Sequence, residues 1–78
     1  MDRAMLVNRL AAAEGYVIEG AQHIETQRQI VDDLQSDGHP AAMACNLLRA
    51  LEALQILYLA ERDQLRKEIG ESKSESAS

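Results

Sequence analysis

The sequence predicts an all-α protein in which two long helices fold back on each other as an antiparallel hairpin. Nearly half of the residues are apolar, yet only two are aromatic, both tyrosines. A core of Leu, Ile, Val, Ala and Met favours helices. One proline and four glycines are too few for the turns of an all-β chain. One strong helix breaker lies near the middle of the chain, with apolar residues at helical spacing on both sides.

The first helix is predicted over residues 3–36, with Asp2 as its N-cap. Its apolar residues recur in alternating steps of four and three, and seven of the nine positions in this seam are apolar. The seam positions are Leu6, Leu10, Ala13, Val17, Gly20, Ile24, Gln27, Val31 and Leu34. A repeat of about 3.5 residues predicts left-handed packing against a partner helix.

A tight turn is predicted over residues 37–40. Gly38 can adopt the left-handed backbone conformation that ends a helix, and Asp37 favours the same turn. Pro40 suits the first turn of the following helix, where its missing N–H costs nothing. A break this short places the two helices side by side and antiparallel.

The second helix is predicted over residues 41–69. Its expected seam positions are Ala44, Leu47, Leu51, Leu54, Tyr58, Glu61, Leu65 and Glu68. We expect Gly70 to stop the helix and the polar segment 71–78, rich in Ser and Glu, to be disordered. Residues 1–70 therefore form the single predicted domain, a helical hairpin.

Several large apolar residues lie outside the two seams. The run Ile56-Leu57-Tyr58-Leu59 covers the whole circumference of the second helix, because successive residues step by about 100°. A helix that is apolar all round is normally buried on more than one side. We therefore expect a homodimeric four-helix bundle, or docking on an unidentified protein partner. The expected surface for self-association or partner docking consists of Ile18, Ile30, Leu48, Ile56, Leu57 and Leu59.

A polar seam accompanies the apolar seam of the first helix and comprises Tyr16, His23 and Gln27. Polar groups at such a boundary fix helix register and partner number through interhelical hydrogen bonds. The alternative is that these three residues bind a small molecule or a metal ion.

Gly20 lies inside the first helix, where glycine costs about 1 kcal/mol relative to alanine. With the centre of the turn near residue 39, Gly20 faces Tyr58. We therefore expect a close helix approach at this point, in which Gly20 makes room for the Tyr58 ring.

No residue pattern predicts a catalytic or metal centre. Glu19 and His23 share a helix face and could supply half of a metal site. Neither histidine follows an acidic residue by three positions, as a di-iron bundle would require. The basic residues of the second helix alternate with acidic ones, which is typical of a solvated face. We therefore expect no enzymatic activity, no metal and no cofactor.

The net charge of −5 disfavours nucleic acid and anionic membranes as partners, because an acidic surface repels phosphate groups. No run approaches the roughly 18 consecutive apolar residues of a membrane span. The first residues lack the basic start of a signal peptide. Cys45 is the only cysteine, and a lone thiol fits a reducing compartment. The expected location is the cytoplasm.

A longer pattern resembles small helical-hairpin proteins of alphaproteobacteria, especially of rhizobial relatives, over about residues 14–67. The matching segments are AQHIETQRQIV at 21–31, Leu34, DGH at 37–39, Leu47-Leu48, Glu52 and RDQL at 62–65. The resemblance implies a bacterial source and a hairpin architecture, but no activity. Those proteins often carry histidine where Tyr58 stands and Asp-Thr where Pro40-Ala41 stands. The first departure weakens any metal site built on paired histidines.

Taken together, these observations predict a non-catalytic interaction or structural protein that acts through helix-to-helix contacts. The alternative function is a small-molecule-binding or metal-binding helical bundle that uses Tyr16, His23 and Gln27. A metal titration monitored at the His23 ring separates the two, because the interaction protein should not respond.

Overall fold

The computed structural model describes the backbone of residues 2–77 and the side chains of residues 2–72. It consists of two helices joined by a short turn. Helix α1 spans Arg3–Ser36 and helix α2 spans Ala42–Ala77. They pack against each other as an antiparallel rod of 63 × 14 × 14 Å, and the described residues include no strand. The predicted all-α class and helical hairpin are confirmed.

The ends of α1 are defined by local hydrogen bonds. At its start, the carboxylate of Asp2 accepts a hydrogen bond of 3.3 Å from the Ala4 N–H, as an N-cap does. At its end, the His39 N–H donates to the Leu34 carbonyl at 2.8 Å, and the Gly38 N–H donates to Gln35. This pair of bonds is a Schellman motif, which requires a left-handed residue. Gly38 supplies it with φ of 73°.

Helix α2 begins at Ala42 and continues through Gly70 to Ala77. We predicted that Gly70 would stop this helix after residue 69 and that residues 71–78 would be disordered, whereas in the structure the helix continues over residues 70–77. A single glycine inside a helix costs only about 1 kcal/mol, and the following Glu, Ser and Lys residues are compatible with helix. Ser78 lies outside the described residues.

The interface between the helices is built on the predicted seam of α1. All nine of its seam positions are buried or half-buried. The buried residues of the hairpin are Leu6, Ala13, Ile24, Gln27, Val31 and Leu65. Leu65 is the most enclosed of them, and it packs with Leu6 and Ala13 near the end of the rod opposite the turn.

The predicted seam of α2 is partly wrong. Leu47 and Leu54 are 51% and 42% exposed, and Glu61 is exposed as well. The residue that follows each of them is half-buried against α1, namely Leu48, Gln55 and Arg62. Because α2 is apolar over most of its circumference, periodicity alone allows two rotations about its axis. Polar contacts with α1 distinguish between them.

Candidate interaction surface

Two glutamine side chains fix how α2 sits on α1. The Gln27 amide donates to the Ala44 carbonyl at 3.0 Å, and the Gln55 amide donates to the Val17 carbonyl at 2.8 Å. Each bond joins one helix to the backbone of the other, so together they specify rotation and register. Gln27 was predicted to lie in the polar seam, whereas Gln55 was not predicted to lie on any face.

The side chain nearest to Gly20 across the interface is that of Gln55, not the Tyr58 ring. A Cβ atom on Gly20 would collide with Oε1 of Gln55 and lie 3.0 Å from its Cδ. Tyr58 borders the same small cavity, but its ring stacks on Tyr16 with centroids 5.4 Å apart and planes 20° apart. The expected pairing of Gly20 with the Tyr58 ring is therefore corrected.

The register of the hairpin explains why Gln55, and not Tyr58, lies nearest to Gly20. A symmetric turn would set residue 20 opposite residue 58. The structure instead sets Gln55 over Gly20 and Tyr16 beside Tyr58, so the facing positions are shifted by three or four residues, about one helical turn. Residues 37–41 belong to neither helix.

The hairpin has two long flanks, one on each side of the seam. We call the first the tyrosine flank. It carries Tyr16, Glu19, His23, Thr26 and Ile30 of α1 and Met43, Leu47, Ala50, Leu54 and Leu57 of α2. Two clefts mark it, of about 60 and about 300 Å³, and His23 and Leu51 line both. Ile30, Met43, Ala50 and Leu57 line neither cleft. They belong to the same flank because each lies three or four residues from a cleft-lining residue of its own helix.

The opposite side is the salt-bridge flank. It carries Glu14, Ile18, Arg28, Leu48, Glu52, Ile56, Leu59 and Arg66. Arg66 lies 3.5 Å from Glu14, and Arg28 lies 3.6 Å from Glu52. Both ion pairs join α1 to α2 and are about half exposed, so each is worth well under about 1 kcal/mol. Their importance is that a partner on this flank would have to desolvate them.

The tyrosine flank is the more apolar of the two. Met43 is 87% exposed and Leu57 is 66% exposed. Among the described side chains, no ion pair crosses this flank between Tyr16 and the turn. Arg9 and Glu61, 3.8 Å apart, form the ion pair at its far end. Five successive α2 positions in steps of four and three, from Met43 to Leu57, present only apolar side chains.

The predicted self-association residues divide between the flanks. Ile30 and Leu57 lie on the tyrosine flank. Ile18, Leu48, Ile56 and Leu59 lie on the salt-bridge flank, where Leu48 and Leu59 are only half exposed. Met43 was not among the predicted surface residues, and Leu47 and Leu54 were predicted to lie in the seam. Their spacing of four and three was visible in the sequence, but it competed with the true seam one residue away.

The residues considered for ligand binding border the clefts without forming a closed site. Tyr16 and His23 line the smaller cleft, and His23 and Gln27 line the larger. The Gln27 amide N–H already serves the Ala44 carbonyl. Within the described part of the chain, no three His, Cys, Asp or Glu residues converge as metal ligands would. Cys45 is a half-buried free thiol.

One segment of α2 is long and apolar enough to cross a membrane. It spans Ala42–Ser72 and contains a window with a mean hydropathy of 1.3, none of which is buried in the hairpin. A count of consecutive apolar residues does not detect it, because Arg49 and Glu52 interrupt the run. Length and composition alone are weak grounds for a span, since the core helices of soluble proteins meet the same criteria.

Fold and flanks together define a class of protein, a two-helix antiparallel hairpin with one apolar flank left open. No family model matches the sequence, and no curated protein or solved structure is significantly similar to it. The resemblance to small rhizobial proteins therefore stays a prediction.

Proposed function

We propose that this protein is a non-catalytic interaction protein that acts through helix-to-helix contacts, and that its first partner is a second copy of itself in a homodimeric four-helix bundle. The observation that carries this proposal is the open tyrosine flank, whose α2 stripe places large apolar side chains in water. Contiguous exposed apolar surface of this kind is characteristic of protein interaction sites.

The small core of the hairpin supports the same proposal. Among the residues whose side chains the structure describes, five apolar ones are buried, whereas ten large apolar ones are exposed, including Ile18, Met43, Ile56 and Leu57. A chain of fewer than 80 residues rarely gains enough stability from one such core, and oligomerisation is a common remedy. A second hairpin would cover apolar surface that the first cannot bury.

A protein in aqueous solution, in a reducing compartment such as the cytoplasm, fits this proposal better than a membrane protein. Although α2 is apolar, its partner α1 carries Glu14, Glu25 and Arg28 along its length. A hairpin that spanned a membrane would bring these charges into hydrocarbon, at a cost of about 2.5 kcal/mol or more for each near the centre. The net charge of −5 likewise disfavours nucleic acid.

Light scattering coupled to size-exclusion chromatography tests the proposal. At micromolar concentration we expect the mass of a dimer, twice 8.6 kDa, with dissociation on dilution. A monomer at every concentration up to the millimolar range contradicts self-association. The elongated shape makes elution volume alone misleading, so the scattering mass is the measurement that decides.

The second candidate function is a binding bundle. The observation in its favour is that His23 and Gln27 border one cleft of about 300 Å³. Zinc titration followed by NMR at the His23 imidazole tests this candidate, with the His23→Gln variant as the control. The interaction proposal expects no change in the imidazole signals at equimolar zinc. A saturable shift of the His23 signals, together with zinc binding that calorimetry detects in the unmodified protein and not in His23→Gln, would favour the binding bundle instead.

A further inference from the structure

We infer that the homodimer forms through the tyrosine flank, with the two hairpins related by a two-fold axis perpendicular to the helices, so that their turns lie at opposite ends. This inference rests on the proposed self-association and adds the face and the orientation. It follows from three features of the flank: its charge, its symmetry, and the separation of its polar and apolar stripes.

The charges of the two flanks differ. The ten residues that define the tyrosine flank include no Asp, Lys or Arg; Glu19 is their one carboxylate and His23 their one imidazole. The salt-bridge flank carries two ion pairs between the helices. Burying them in an interface would remove water from four charged groups, and such desolvation can exceed the attraction gained. The tyrosine flank is therefore the face that a second copy can cover at lower cost.

The tyrosine flank is also symmetric along its length. On α2, Ala50 stands at the centre, with Met43 seven residues before it and Leu57 seven residues after it. On α1, His23 is the centre, with Tyr16 and Ile30 at the same separation on either side. A two-fold interface uses one patch on both copies. A patch that is similar in both directions suits antiparallel pairing, and a small residue at its centre lets the helices approach closely.

Two face-to-face arrangements are compatible with a two-fold axis. With the axis along the helices, α2 packs on α1 of the partner subunit, and Leu54 meets the partner's Glu19. With the axis across the helices, α2 packs on the partner's α2 and α1 on the partner's α1. Apolar residues then meet apolar ones, and the polar centre of α1 meets its own copy. The second arrangement avoids burying Glu19 against leucine, which would be costly without a polar partner.

The size of the overlap is sufficient for a stable dimer. Ala50 lies eight residues after the start of α2 at Ala42, and His23 lies 13 residues before the end of α1 at Ser36. The overlap about a central axis is therefore roughly 24 Å of α2 and roughly 39 Å of α1, and each helix is roughly 10 Å wide. The covered area is then on the order of 600 Å² per subunit, at the lower end of standard interfaces, which cover roughly 600–1,000 Å² per partner.

Two neighbouring residues provide a matched test of the face. Leu57 and Ile56 are 66% and 67% exposed and lie on opposite flanks. We expect Leu57→Glu to raise the dimer dissociation constant by on the order of a hundredfold, because it leaves a carboxylate in an apolar interface. Ile56→Glu should leave it within about threefold of the starting value. Circular dichroism checks that both remain helical. The opposite ranking, or an equal effect of both, overturns the assignment of the face.

Disulfide cross-linking tests the orientation, with single cysteines introduced into a Cys45→Ala background. Because a disulfide needs Cα atoms within about 7 Å, only residues that face each other will link. We expect Ala50→Cys to link with itself and Met43→Cys to link with Leu57→Cys when the two variants are refolded together. Met43→Cys alone should not link. Linkage of Met43→Cys with Ile30→Cys instead would assign the axis along the helices and overturn the orientation.

Light scattering on the unmodified protein separates this inference from the proposed function. A dimer with the wrong cross-links refutes the face or the orientation, while self-association stands. A monomer refutes both. If that monomer binds phosphatidylcholine vesicles and Leu57→Glu abolishes the binding, the tyrosine flank belongs to a membrane surface and not to a second copy.

Discussion

Replacing Gly20 with alanine tests the packing that sets the rotation of α2, because two effects of known direction oppose each other there. Alanine is favoured over glycine inside a helix by about 1 kcal/mol. The new Cβ would take the place of Oε1 at the flexible end of the Gln55 side chain, so that the amide must move. We expect this movement to break the 2.8 Å bond from the amide N–H to the Val17 carbonyl. Losing the bond and displacing a buried amide costs about 1–3 kcal/mol. We expect a net destabilisation of about 0–2 kcal/mol.

Gly15 is the matched control on the same helix. Nothing lies within 4 Å of a Cβ built on Gly15, so Gly15→Ala should show the full stabilisation of about 1 kcal/mol. In a Gln55→Ala background the obstruction at Gly20 is gone, and Gly20→Ala should then stabilise by a similar amount. The change between backgrounds is a coupling energy of about 1–3 kcal/mol.

Urea unfolding followed by far-ultraviolet circular dichroism measures all four variants. The protein concentration must be the same throughout, because the apparent stability of a dimer depends on it. Gly20→Ala is measured both in the unmodified protein and in the Gln55→Ala variant. If it stabilises both proteins as much as Gly15→Ala stabilises the unmodified one, Gln55 does not lie over Gly20. The rotation of α2, and with it the composition of the tyrosine flank, would then be wrong.

Three further predictions use the same unfolding measurement. Leu65→Ala should cost about 2–5 kcal/mol, because Leu65 is 2% exposed and its truncation leaves a cavity; a cost below about 1 kcal/mol would contradict its place in the core. Gly38→Ala should destabilise by about 1–2 kcal/mol, because φ at Gly38 is 73°, whereas Gly70→Ala, with open space around its Cβ, should be neutral or stabilising. Glu52→Gln should cost less than about 0.5 kcal/mol, since its pair with Arg28 is half exposed, and 1 M salt, of the order that screens surface charges, should abolish even that difference.

The helix α1 could be predicted from the sequence almost completely, and α2 only in part. The bounds of α1, the turn at Gly38 and the α1 seam depend on local signals: a cap, a left-handed glycine and one unambiguous apolar stripe. Helix α2 has two apolar stripes one residue apart, so periodicity gives no single answer. What selects between them is a hydrogen bond from Gln55 to the Val17 carbonyl. Every residue has a backbone carbonyl, so the sequence does not show which carbonyl accepts a side-chain hydrogen bond. The pattern of apolar residues therefore could not identify this contact.

That hydrogen bond also links the fold to the candidate surface. If apolar burial alone decided the rotation of α2, Leu54 would face α1 in place of Gln55, and Leu47 in place of Leu48. Placing Gln55 in the seam gives up part of that burial and leaves both leucines outside, beside Leu57. A buried polar contact in a helical bundle commonly trades stability for a defined register and partner number. Here the same trade creates the apolar stripe that a second hairpin can cover, so the weak core and the open flank have one physical cause.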